Sequence, residues 1–170
     1  NLCVSADVCT SADLLALATA VGPHICCLKT HCDIVTDWSA DTSECLQCIA
    51  DDCNFILFED RKFSDIGNTV RMQTSGGIYC INAWADCVTV HALPGPGILA
   101  GMHDVMVGAG RLRGAFLVAE MSCAGALIGE RYTAATVAMA ETNNDIVTGV
   151  CVCGIVCGLD GMRLICCVMF

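Results

Sequence analysis

A chain of 170 residues that is 55% hydrophobic and 15% charged holds enough apolar material to bury a core, which excludes intrinsic disorder. Its net charge of −10, with no basic stripe, argues against a nucleic-acid partner. No apolar run approaches the roughly 20 residues of a membrane-spanning helix, and no basic-then-apolar leader opens the chain, so one soluble cytoplasmic domain over residues 1–170 with no membrane partner is expected.

Short apolar runs alternate with segments of helical spacing. LCVSAD (2–7) reads as the first strand. SADLLALATAVG (11–22) follows with Leu14, Leu15, Ala18 and Val21 on one face, and Gly22–Pro23 stops it as a helix. HICCLKT (24–30) is the second strand. The segment 42–52 has helical spacing that places Cys45 and Ile49 on one face. FILFED (55–60) is the third strand and CVTVHAL (87–93) the fourth, leading into LPGPG (93–97), a βα loop. Arg111 and Arg113 read as a solvated loop before the fifth strand, GAFLVAE (114–120). A helix over 132–144 carries Val137 and Ala140 inward, IVTGVCVC (146–153) is the sixth strand, and RLICCVMF (163–170) the seventh. Strand–helix repetition of this kind predicts an α/β fold with parallel strands.

The sixteen cysteines invite a disulfide or metal interpretation. Cys26, Cys27, Cys87, Cys151, Cys153, Cys166 and Cys167 instead lie in apolar runs where Val or Ile would fit, as buried free thiols do. The spacing of Cys151, Cys153 and Cys157 matches no standard zinc pattern. Core filler is expected for most of them, with no metal.

Polar residues gather at the C-terminal ends of the strands: Asp7, Lys29 with His31, Glu59 with Asp60, His91, and Glu120 with Ser122. Parallel α/β folds bind ligands at that edge, and a (β/α)8 barrel builds its site there from successive strands. The chain has only two lysines, and both lie in such positions. Even an acidic protein binds an anionic small molecule where a few cations converge. Asp60, Lys62 and Asp65 form D-x-K-x-x-D within FEDRKFSDIGNTV (58–70). An ordinary loop does not need alternating charge within one turn of a buried strand.

FILFEDRKFSDIGNTV, together with NLCVSADV, GPHICCLKTHCDIV, WAD, GPGI, AEMSCAGAL and YTAATVAMA, resembles the eukaryotic branch of the orotidine 5'-phosphate decarboxylase family over residues 1 to about 150. The resemblance implies a (β/α)8 (TIM) barrel that works as a homodimer with shared active sites, acts on orotidine 5'-monophosphate to give UMP, and uses no cofactor. It also implies roles. Lys29, Asp60, Lys62 and Asp65 form an alternating charge network, with Asp65 reaching in from the partner. Lys62 protonates C6 of the pyrimidine. Ser5, Asp7, Lys29 and His31 lie toward the ribose, Ile66 and Thr69 reach it from the partner, and Ser122 bonds the pyrimidine. The family also has phosphate-gripping residues after its seventh and eighth strands, which have no counterpart here, so a barrel truncated after about strand 7 is expected.

Plainer assignments exist for the same residues. Asp60, Lys62 and Asp65 would serve as a surface ion cluster, Lys29 as a partner of Asp33, His31 and His91 as structural histidines, and Ser122 as a helix cap. Two other functions remain open. One is a related sugar-phosphate decarboxylase sharing D-x-K-x-x-D; the other is a non-catalytic barrel remnant that only dimerises.

Overall fold

Strands covered on both faces need apolar residues at nearly every position, and that composition sets the sheet. The computed structural model describes residues 2–108 and 110–152 in full, and the backbone of 155–158 and 163–169. Six strands, β1 (Leu2–Ala6), β2 (Cys27–Thr30), β3 (Ile56–Phe63), β4 (Cys87–His91), β5 (Gly114–Val118) and β6 (Val147–Val152), pair in parallel in chain order. The structure corrects one expectation here. The segment anticipated as the seventh strand is the eighth in order. A short β7 (Ile155–Gly158) turns back antiparallel to β6, and β8 (Arg163–Met169) runs antiparallel to β7 and parallel to β1, closing the sheet. A two-strand return needs no crossover helix, whereas consecutive parallel strands do.

The helices between the parallel strands are α1 (Ser11–Val21), α2 (Ala40–Cys53), α3 (Gly67–Ser75), α4 (Ile81–Trp84), α5 (Gly97–Met106) and α6 (Glu130–Thr142). Thr10 and Ser39 cap α1 and α2 by accepting the Asp13 and Thr42 backbone N–H groups. The inward face of α2 is Thr42, Leu46 and Ala50, one position round from the expected Cys45 and Ile49. Cys45 is exposed, because the longer leucine takes the deeper place. Helices α3 and α5 were not anticipated from the sequence. They meet through bare backbone: a Cβ on Gly101 would collide with the Gly67 carbonyl, while α5 buries Ile98, Leu99, Met102 and Val105. Among the described residues no helix is long and apolar enough to cross a membrane.

Alternation along the strands makes two cores. Val4, Leu28, Leu57, Val88 and Leu117 face the helices in the larger one. Cys3, Cys27, Phe58, Cys87 and Phe116 fill the barrel interior, with Cys151 against them and the two phenyl rings 5.2 Å apart. The filler expectation therefore holds for Cys27 and Cys87, and Cys26 and Cys151 pack against this plug half-buried. Cys9, Cys45, Cys48, Cys80 and Cys123, none of them among the seven named for that role, are exposed. The side chains of Cys153, Cys157, Cys166 and Cys167 lie outside the described residues.

At the N-terminal ends of the strands the structure overturns the solvated reading of Arg111. Its Nε donates to Asp86 Oδ1 at 2.8 Å, and Nη1 lies 2.8 Å from Asp51. Asp86 also accepts the Leu57 backbone N–H at 2.8 Å. This clamp joins α2 to the starts of β3, β4 and β5. Arg113 remains exposed as expected.

Candidate active site

The same alternation that buries the plug builds the site above it. Two residues beyond the plug come Ser5, Lys29, Asp60 and Thr89; two further on come Asp7, His31, Lys62 and His91. These side chains line the C-terminal mouth of the barrel, where the sequence placed the site.

Asp60 is its centre. Oδ2 lies 2.7 Å from Lys62 Nζ and 3.2 Å from Lys29 Nζ, so two ammonium groups converge on one oxygen. Oδ1 accepts the Thr89 hydroxyl at 2.8 Å. Burial alone would raise the Asp60 carboxyl. The Lys62 hydrogen bond, the charges of both lysines and the Thr89 hydroxyl outweigh it and hold the carboxyl below its ordinary range. Lys29 also lies 3.8 Å from Asp7 Oδ1, which accepts the Ser5 hydroxyl at 3.0 Å. Burial and the neighbouring Lys29 charge lower His31, keeping the ring neutral. Its Nε2 then accepts from Lys29 Nζ at 2.9 Å. Burial, then Lys62, lowers His91 as well.

The end of β3 departs from regular strand geometry. Glu59 pairs with Val88 and Phe63 with Val90, so residues 60–62 of β3 stand opposite Thr89 alone. This is a bulge, and bulges re-aim side chains at strand ends. Within it Lys62 adopts φ 54°, the left-handed region, which costs a non-glycine residue about 1–2 kcal/mol. The Lys62 backbone N–H is held by Thr89 Oγ1 at 2.8 Å.

Glu59, grouped with Asp60 by sequence, faces away from the mouth. It is fully buried and accepts the Thr30 hydroxyl at 2.8 Å and the Cys32 N–H at 3.1 Å. Burial pushes it up to about 7 against those hydrogen bonds. It also pushes the Cys32 thiol well up, with the Glu59 charge adding to the effect. His31, Asp33 and Glu59 bring possible metal-ligand atoms within 4.8 Å of one another, but both Glu59 oxygens already accept the Cys32 N–H.

The remaining predicted residues divide. Ser5, Asp7, Lys29, His31, Asp60 and Lys62 come together. Asp65 does not join them within one protomer: it is exposed and accepts the Ile66 N–H at 2.7 Å. Ile66 is 67% exposed at the start of α3, and Thr69 is half-buried in its first turn. Ser122 is exposed in the β5–α6 loop, and Gly129, not Ser122, sits at the α6 N-cap. Asp33 faces Arg61 at 4.0 Å instead of Lys29. A groove of about 510 Å³ lies along that loop beside Glu120, Met121 and Thr133, away from both lysines. Charge, not volume, marks the site. Sequence reasoning missed Thr89, whose only signal was its place two residues beyond Cys87 on an inward-facing strand edge.

Parallel strands in βα order, with a lysine–aspartate–lysine line at their C-terminal ends, define an α/β barrel with a charged mouth. Residues 1–162 match the orotidine 5'-phosphate decarboxylase / HUMPS family, and the chain belongs to that family. It is 48% identical over 151 residues to orotidine 5'-phosphate decarboxylase of Eremothecium gossypii, covering 88% of this chain and 57% of the relative. It is 47% identical to the Saccharomyces cerevisiae enzyme of that name over 151 residues, with the same two coverages. It is 49% identical to uridine 5'-monophosphate synthase of Bos taurus over 149 residues, 88% of this chain and 31% of that one. The chain thus spans little more than half the length of its monofunctional relatives. In fold it is similar to orotidine 5'-monophosphate decarboxylase of Methanocaldococcus jannaschii, with a TM-score of 0.72, 20% identity, and 88% and 68% of the two chains covered.

Proposed function

We propose that this chain carries the catalytic half of an orotidine 5'-monophosphate decarboxylase, converting that nucleotide to UMP in pyrimidine synthesis. Loss of CO2 from C6 leaves electron density that the ring delocalises poorly. An ammonium held at that carbon stabilises the charge as it develops and then supplies the proton. Lys62, at the mouth beside Asp60, is assigned both roles in this reading. Asp60 beside it, kept anionic by the two lysines, stands where it would oppose the substrate's own carboxylate and relieve that opposition as CO2 leaves. Asp7, Ser5, Lys29 and His31 form the flank suited to ribose hydroxyls. No step in this chemistry calls for a metal or an organic cofactor.

The convergence of Lys62 and Lys29 on one oxygen of Asp60, at 2.7 and 3.2 Å, carries this reading. The exposure of Asp65 and Ile66 supports a homodimer in which they, with Thr69, complete the partner's site. Ser122 would bond the pyrimidine after the β5–α6 loop closes over it. The phosphate grip is assigned to parts of the parent protein beyond those matched here, and the reaction to the cytoplasm. The test follows the absorbance of orotidine 5'-monophosphate with the chain, without added metal, beside Lys62→Ala. Turnover that requires Lys62 supports the proposal. A folded chain that binds UMP yet shows no turnover favours the non-catalytic alternative, and turnover only with Mg²⁺ favours a related sugar-phosphate decarboxylase.

A further inference from the structure

We propose that Thr89 is the positioning residue of this site: its single hydroxyl sets the Lys62 backbone and the Asp60 carboxylate together. The proposal rests on the decarboxylase reading for its kinetic consequence, but not for its geometry.

The chemistry of the three groups allows one arrangement. A carboxylate only accepts and a backbone N–H only donates. Thr89 therefore gives its one proton to Asp60 Oδ1 at 2.8 Å and accepts the Lys62 N–H on a lone pair, also at 2.8 Å. The bulge explains the need. With residues 60–62 opposite one residue of β4, the ladder has no carbonyl to offer the Lys62 N–H, and the Thr89 side chain takes that place. The same bond secures Lys62 in its left-handed conformation, which aims its side chain back to Asp60. Fixing Oδ1 also stops the carboxylate from turning. Oδ2 alone is left for the two lysines, so both ammonium groups are drawn to one point. Thr89 is 1% exposed and acts only through these neighbours.

Thr89→Val keeps the shape and removes both bonds; Thr89→Ser restores the hydroxyl and loses only a methyl group. Wild type and both variants are compared by kcat and KM on orotidine 5'-monophosphate, by carbon NMR titration of Asp60, and by hydrogen exchange at the Lys62 amide. For Thr89→Val, kcat falls between about 10-fold and about 100-fold while KM stays within about threefold, because the ammonium is misplaced and not lost. Asp60 titrates at higher pH, the Lys62 amide exchanges at least about 10-fold faster, and Thr89→Ser returns all three toward wild type. If Thr89→Val does not fold, Thr89→Cys, with its weakly bonding thiol, takes its place. Wild-type kcat and wild-type Lys62 exchange in the valine variant overturn the proposal. So does a serine variant as impaired as the valine one, since the methyl group would then be what matters. If the wild-type chain shows no turnover, the decarboxylase reading fails, and the Asp60 titration and Lys62 exchange decide the role of Thr89 by themselves.

Discussion

Two charge clusters stand at opposite ends of the barrel, and they are built on different rules. At the N-terminal end, Arg111 meets Asp86 and Asp51, and the second Asp86 oxygen also takes a backbone N–H. At the C-terminal end, two ammonium groups compete for one oxygen of Asp60, a neutral histidine accepts from one of them, and a lysine sits in a disfavoured backbone conformation. The first arrangement ties elements together. The second gathers two lysines and two aspartates at an open mouth, with Lys62 and Asp7 both partly exposed. The contrast separates a cluster that ties elements together from one that fits the proposed chemistry, although both are lysine or arginine beside aspartate.

The sharpest way to break the contrast is Lys62→Ala. Turnover should fall by about 10³-fold or more, with the thermal midpoint little changed, since alanine keeps the same left-handed backbone and Lys29 still faces Asp60. A variant retaining near-normal turnover removes Lys62 from the chemistry. Glu59→Gln tests the buried carboxyl behind the same rim. In the wild type the unfolded chain releases this proton near pH 4.5 and the folded chain near about 7. The folded state therefore holds more protons between those values, and stability falls as pH rises through the window, by on the order of 3 kcal/mol. Urea midpoints across that range should decline less steeply for the glutamine variant than for wild type. Parallel curves would mean that Glu59 ionises normally.

At the other end, Arg111→Met should cost about 2–3 kcal/mol in urea unfolding, because Asp86 is left partly buried without its partner. Turnover per folded molecule should not change; a drop in kcat would show that the two ends are coupled. Asp51→Ala should cost less than about 0.5 kcal/mol, since that carboxylate is largely exposed and its pair with Arg111 is screened.

Much of this was readable from the sequence. LCVSA, CVTVH and GAFLV are short apolar runs separated by segments with room for helices, and that alternation identified parallel strands; the polar residues that end them identified the mouth. Asp7, Lys29, Asp60 and Lys62 were found because charge at the end of a buried run is costly unless it is used. Other features left no trace. Thr89 looks like ordinary β-branched filler, and only the bulge opposite gives it two partners. Arg111 looked solvated because Asp86 and Asp51 are distant in sequence. Helix α3 escaped notice because it buries only Val70 and Thr74, whereas the stripe of α5, Ile98, Leu99, Met102 and Val105, was in the sequence and was overlooked. The closing hairpin was missed because apolar runs alone do not report strand direction.

The sulfur-and-phenyl plug has a consequence for the field at the mouth. Cys3, Cys27, Cys87, Phe58 and Phe116 form a buried layer without a charged group between the two ends of the barrel. Field lines from the lysines and aspartates of the mouth spread poorly through such a layer and are directed outward, to the open side. The floor thus acts as a dielectric mirror. Admitting water there, by trimming either phenylalanine, would weaken the field at the mouth without touching a single charged group.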